Sequence, residues 1–373
     1  MKKIYILLFI ISFMFVACNK DKEIKPSGKT VNIIILAPLD NKNERLGYQS
    51  LLGLKAAKEM KKYLKNGDEV VFNIVDIDKK DMKHTLKDTI LKKRPLAILS
   101  FMSSDKILNM KKELKKYRLP IIVTLATNND IVDKDNLFMQ VCIDNHKQSL
   151  VAAHYIRDEK FMKHVGIVYD KRSIYSTALA DEFKELFKKL GGEIDFFIDV
   201  GGKNGLQRFE SLKKTDTEII FNSTDSTMTI KMIKLLKKEG SHAEILGADG
   251  LYSSMLENNI NDASSYDGIY VIDHFAHNIY PNKQRKRFEK ILNKKGFRES
   301  SYAFLAYDGY QLLTYAFETC PKYDKECINA ILRDSETIKG ISGNFNMIDS
   351  KARREVYVNK IKNKRLEKEV IIY

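Results

Sequence analysis

The chain has 373 residues, room for two domains at about 100–200 residues each. With 44% hydrophobic and 30% charged residues, it is neither wholly disordered nor, with 18 glycines and 6 prolines, collagen-like or linker-dominated. Four cysteines are too few to scaffold a chain this long, and the formal charge of +15 raises the question of a nucleic-acid or membrane partner.

Met1-Lys2-Lys3 is basic, and Ile4 to Val16 is an apolar run interrupted only by Ser12. A spanning helix needs about 20 residues, so this run has the proportions of a secretory signal. It ends in Phe15-Val16-Ala17-Cys18, which resembles the bacterial lipobox, where a small residue precedes the cysteine that becomes diacylated and N-terminal. An ordinary cleaved signal with a chance cysteine is the alternative. The expected order is a signal over 1–17, a lipidated Cys18 and a polar tether over 18–30. The chain is then exported and lipid-anchored in the cell envelope, and a nucleic-acid partner is not expected.

From Val31 short β-rich runs alternate with helical patterns. VNIIILAPL (31–39), VVFNIVDI (70–77), LAILSF (96–101) and PIIVTLA (120–126) read as strands. Between them, 47–64, 81–93 and 104–117 have helical spacing, the last opened by Ser103-Ser104-Asp105. A second series follows, with strands at 164–170, 194–200, 218–223 and 244–249 and helices at 148–157, 177–190, 204–214 and 225–239. Apolar runs separated by helices indicate parallel strands buried on both faces, hence an α/β chain of two doubly wound lobes. After Gly250 come a strand over 267–275, helices over 284–295 and 302–318, and a β-rich tail. The lysines of KEMKKYLK, NMKKELKKY and KMIKLLKK fill the polar faces of these helices, which accounts for the charge. Cys320 and Cys327 flank a turn-like PKYDKE and are expected to pair in an exported chain, leaving Cys142 a buried thiol.

No G-x-x-x-x-G-K-[ST], H-E-x-x-H, G-x-S-x-G or C-x-x-C occurs. The seven histidines are scattered, and Asp273 and His274, adjacent on a strand, face opposite ways. No enzyme, metal or cofactor is expected.

The order of VNIIILAPLDNKNERLGYQSLLGLKAA, LAILSFMSSDKILNM, RLPIIVTLATNNDI, FMQVCIDNHKQSLVAAHYI, VGIVYDKRSIYSTALADEF, AYDGYQLL and GISGNFNMID resembles the type I periplasmic solute-binding proteins, in particular the leucine/isoleucine/valine receptors of ABC importers. The resemblance implies two lobes joined by three crossovers near 145, 275 and 340. Lobe 1 would hold 31–145 and 276–340, and lobe 2 would hold 146–275 and 341–373. It implies an amino-acid-like solute in the cleft and an ABC permease as partner. A ligand sensor or envelope-enzyme activator on the same fold, without transport, is the alternative.

Residue by residue, Ser104 and Thr127 would take the solute's carboxylate, the Leu125 backbone and Asp249 its ammonium, and Tyr175 would cover it. Phe221 and Asn222 are weaker candidates. Structural roles compete: Ser104 as a helix cap, Thr127 as the start of a turn, Asp249 as a turn residue before Gly250. Three family glycines are absent, with Ser100, Ser176 and Asp40-Asn41-Lys42 in their places.

Overall fold

The computed structural model describes residues 24–39, 45–210, 217–257, 266, 268–279 and 282–372. The signal segment, Cys18 and Asp40–Lys42 lie outside the described residues. The first half opens with β1 (Thr30–Ala37), α1 (Arg45–Met60), β2 (Glu69–Asp76), α2 (Met82–Lys93), β3 (Ala97–Ser100), α3 (Ser104–Lys115), β4 (Ile121–Val123) and β5 (Phe138–Gln140). Then come α4 (Asn145–His154), β6 (His164–Tyr169), α5 (Ile174–Lys189), β7 (Glu193–Asp199), α6 (Gly205–Glu210), β8 (Ile219–Asn222), α7 (Ser226–Lys238), β9 (Glu244–Gly247), α8 (Leu251–Glu257) and β10 (Tyr270–Asp273). The last part holds α9 (Lys283–Lys294), α10 (Ser301–Thr319), α11 (Lys325–Arg333), β11 (Ser335–Lys339), β12 (Asn344–Ile348), β13 (Lys351–Arg354), β14 (Val356–Lys362) and β15 (Arg365–Ile372).

The strands form two sheets, of order β11-β12-β13-β5-β4-β3-β1-β2 and β15-β14-β10-β9-β8-β6-β7. Strands β1 to β5 pair in parallel, as do β6 to β10. Each central strand is covered by helices on both faces, which is why Ile33 to Ala37 are all fully buried and read as an unbroken apolar run. Helix α10 packs along α1 in the first lobe, and α4 along α5 in the second.

The tail departs from expectation. β12 and β13 pair antiparallel in the first sheet, and β13 meets β5 at Lys351 and Gln140. The chain therefore passes to the second sheet at Glu355, not after Gly340. The cause is local: Phe345 and Met347 are buried, and Arg354 is bound to Asp308 of α10.

The tether also ends earlier than expected. Ser27 donates its backbone N–H to Gly67 at 2.9 Å, and its hydroxyl binds Asp68. Gly67 has φ +88°, and a Cβ there would lie 2.3 Å from the Lys25 carbonyl, so only glycine lets the segment dock.

Cys320 and Cys327 form a disulfide with Cα atoms 5.7 Å apart, and Cys142 is a buried free thiol. The bond closes a short loop between α10 and α11. Replacing both cysteines by serine should lower the unfolding free energy by about 2.5 kcal/mol in the chain-entropy account. Urea denaturation would check this; an unchanged midpoint would show that the α10–α11 packing holds the turn unaided.

Candidate functional site

The cleft walls are built from the carboxyl ends of parallel strands, where open α/β sheets leave a crevice. On the first lobe, Ser104 is the first residue of α3 and Thr127 follows β4. Both are buried. Ser104 does not cap its helix, and neither does Ser103, whose side chain makes no capping bond. The Ser104 Oγ instead accepts the N–H of Thr127 at 3.1 Å and of Asn128 at 3.2 Å. Two N–H donors use both acceptor positions of a hydroxyl, so what Ser104 can still offer is its proton.

Thr127 donates its hydroxyl to Asn145 Oδ1 at 2.8 Å, and its carbonyl accepts the Asn145 N–H at 2.8 Å. This leaves the buried Asn145 Nδ2 without a partner among the described residues, an open donor beside Thr127. Leu125 is half-buried in the turn after β4, its side chain against the first lobe's core.

On the second lobe, Asp249 follows β9 and accepts the Tyr175 hydroxyl at 3.0 Å. Its N–H donates to Gln148 Oε1 at 3.2 Å. Asp249 keeps some accessible surface, yet protein surrounds it closely. Burial pushes its carboxyl up to about 7, against the pull of the Tyr175 hydroxyl. Burial likewise drives the Tyr175 phenol well above its ordinary value, with the Asp249 charge adding to it. Gly250 has φ +74°, and its carbonyl accepts the Tyr302 hydroxyl of α10 at 3.2 Å.

The structure thus pairs Asp249 with Tyr175 on one lobe and Ser104 with Thr127 on the other. Phe221 is buried in the second lobe's core, stacked on Phe183, and the Asn222 amide is tied to Thr229 at 2.7 Å. Those two are packing residues. Sequence reasoning missed Asn145, Gln148 and Tyr302, which sit on helices; the first two lie inside the FMQVCIDNHKQSLVAAHYI segment but were not singled out. The signal that could have found Asn145 and Gln148 is their polarity on the buried face of α4.

The lobes also touch directly. Asp105 of α3 accepts the Ile174 N–H at 2.5 Å and the Ser173 hydroxyl at 3.0 Å, a carboxylate at the N-terminus of α5. Asn129 donates to Glu182 at 2.8 Å, and Ser253 accepts the Ser301 N–H at 3.0 Å.

Behind the cleft the crossovers are laced together. His274 Nε2 accepts the Ile143 N–H at 3.0 Å, so the ring proton of the neutral form is on Nδ1. Burial, then the Arg354 charge, holds His274 well below its usual value. Asp273 accepts the Ser301 hydroxyl at 2.5 Å and the His274 N–H at 2.6 Å, and burial raises its carboxyl to about 7. Nδ1 of His274 lies 3.9 Å from Asp273 Oδ1, too far for a hydrogen bond.

Raised carboxyls give a signed prediction. Between about 4 and about 7 the folded chain holds protons on Asp249 and Asp273 that the unfolded chain has released, so the stability these two carboxyls contribute falls as pH rises through that window, while the lowered His274 and His277 contribute the opposite slope. Asp273→Asn should flatten this fall. Urea midpoints at about pH 5 and about pH 7 would test it, and an equal fall in the variant would rule Asp273 out as a source.

Among the described residues no group of His, Cys, Asp and Glu could hold a metal ion, and no helix is long and apolar enough to cross a membrane. Neither a protein-family model nor a curated protein matches the chain. Solved structures do. A leucine-binding protein LivK from Thermotoga maritima is similar over 92% of this chain and 98% of its own, with TM-score 0.80 and 22% identity. A branched-chain amino-acid transporter substrate-binding protein LivJ from Streptococcus pneumoniae, solved with isoleucine, has TM-score 0.79 and 18% identity over 92% and 99%. A solute-binding protein of an ABC transporter from R. palustris, solved with 4-hydroxybenzoate, has TM-score 0.78 and 17% identity over 92% and 97%. Likeness over nine-tenths of the chain, at identities this low, establishes the architecture: the chain has the type I periplasmic-binding-protein fold.

Proposed function

We propose that the chain is an extracytoplasmic solute-binding lipoprotein that captures a small amino-acid-like zwitterion between its lobes for delivery to an ABC importer. The observation that carries this reading is the opposed chemistry of the two walls. Ser104 and Asn145 hold unspent donors suited to a carboxylate, and Asp249 holds a carboxyl suited to an ammonium. Closure over a zwitterion removes water from both its charges, so each needs a partner. The similar structures solved with isoleucine and with leucine support the same class.

A second reading is an aromatic carboxylate, as bound by the R. palustris proteins. Tyr175 and Tyr302, both at Asp249-Gly250, favour it, as does a carboxyl at Asp249 that holds its proton near neutral pH.

The test is a thermal-shift panel of amino acids and hydroxybenzoates, followed by calorimetry. A true ligand at 100 times its Kd should stabilise the fold by about 2.7 kcal/mol. A response to benzoates alone selects the second reading, and silence from both sets removes the solute-binding claim.

Anchoring through Cys18 belongs to the proposal. In a Gram-negative host, Cys18→Ser should abolish acyl labelling and detergent partition, and undiminished label would refute it.

A further inference from the structure

A cavity of about 120 Å³ lies at the hinge, between the crossover after β5 and strand β13. Its lining includes Asp144, Lys147, Lys351, Arg353 and Arg354, and none of Ser104, Thr127, Tyr175 or Asp249. Two of the four cations are already paired. Lys351 binds Asp144 at 2.7 Å, and Arg354 binds Asp308 at 2.6 Å. Asp144 is spent further on the Lys147 N–H, which it caps at 2.9 Å. Lys147 and Arg353 have no side-chain partner among the described residues.

Lys147 is half-buried and Arg353 is exposed to solvent. Burial, then the Arg353 charge, pushes the Lys147 ammonium below its usual value, with Asp144 pulling the other way. Lys147 stands on α4 of the second lobe and Arg353 on β13 of the first, so two cations without a hydrogen-bonded carboxylate face the hinge cavity from opposite lobes. The space far exceeds the ~10–15 Å³ that one water needs.

We propose that this hinge cavity is a second binding site, for a small divalent oxyanion of the phosphate class, held by Lys147 and Arg353 from opposite lobes. An ion there replaces a repulsion with two charge-assisted contacts and ties the lobes at the hinge. The site is independent of the solute cleft, and its test uses no cleft ligand.

The probe is inorganic phosphate, exchanged against chloride at constant ionic strength. Equilibrium dialysis of the purified protein should find one phosphate per chain, with a saturable rise in Tm. Lys147→Gln with Arg353→Gln should weaken binding by roughly tenfold or more, since hydrogen bonds to charged groups are lost. Lys237→Gln with Lys238→Gln, on the exposed end of α7, should leave binding intact. In chloride the hinge double variant should melt no lower than wild type, because it removes a repulsion. Equal phosphate binding by both double variants would overturn the site. So would a hinge variant that melts well below wild type in chloride, which would mean that both side chains already had partners.

Discussion

Asp308→Ala should lower the unfolding free energy by about 3–5 kcal/mol, the cost of breaking a buried ion pair from one side. Asp308 and Arg354 are both almost wholly shielded from solvent and meet at 2.6 Å. Asp308 also accepts the Ile341 N–H at 2.6 Å and the Ser342 hydroxyl, and Arg354 donates to the Val141 carbonyl at 2.9 Å. One network therefore joins α10, the turn before β12, the end of β13 and the first crossover. Removing the carboxylate leaves a buried guanidinium with the Val141 carbonyl and the Ser342 hydroxyl as its remaining partners. The double variant Asp308→Leu with Arg354→Met should recover much of the loss, because an apolar pair has no charge to desolvate. Urea denaturation measures both. A loss below about 1 kcal/mol in Asp308→Ala would mean that water reaches Arg354 and that the network is not sealed.

Asp249→Ala should weaken zwitterion binding by roughly 2–5 kcal/mol, as for other buried charge pairs cut on one side. The pH dependence is the sharper half of this expectation. Burial pushes the Asp249 carboxyl up to about 7. An incoming ammonium favours the charged carboxylate, so binding at about pH 6 should release a proton, and affinity should fall as pH drops below about 7. An aromatic carboxylate would do the reverse: it favours the protonated form, so binding takes up a proton and weakens as pH rises through about 7. Calorimetry in buffers of different ionisation enthalpy separates the two by sign. Affinity unchanged in Asp249→Ala would remove the ammonium assignment altogether.

The two series of doubly buried strands were legible because burial on both faces leaves no polar position to blur the run, as at Ile33–Ala37 and Ile219–Phe221. The third crossover was not. NFNMI alternates and KARR is mostly polar, and a pattern that marks one buried face does not say in which sheet it lies. Ser104 could be picked out as a serine at a helix start, but its hydrogen bonds run to a turn 23 residues on. The same limit hid Tyr302, whose hydroxyl reaches Gly250 across 52 positions of sequence. The disulfide was legible because its partners are only seven residues apart and the turn between them is short.

The docking of Ser27 on the Gly67 turn sets a leash. Ser27 lies only nine positions after Cys18. At roughly 3.3–3.6 Å per residue such a stretch spans at most about 30 Å, whatever its path. If Cys18 is the lipid-bearing residue we propose, the first lobe rides within that distance of the bilayer surface, and the second lobe is reached only through the crossovers. Opening and closing would then be a swing of the outer lobe over a moored inner one, and the cleft mouth would sweep a confined arc above the membrane where a permease must meet it.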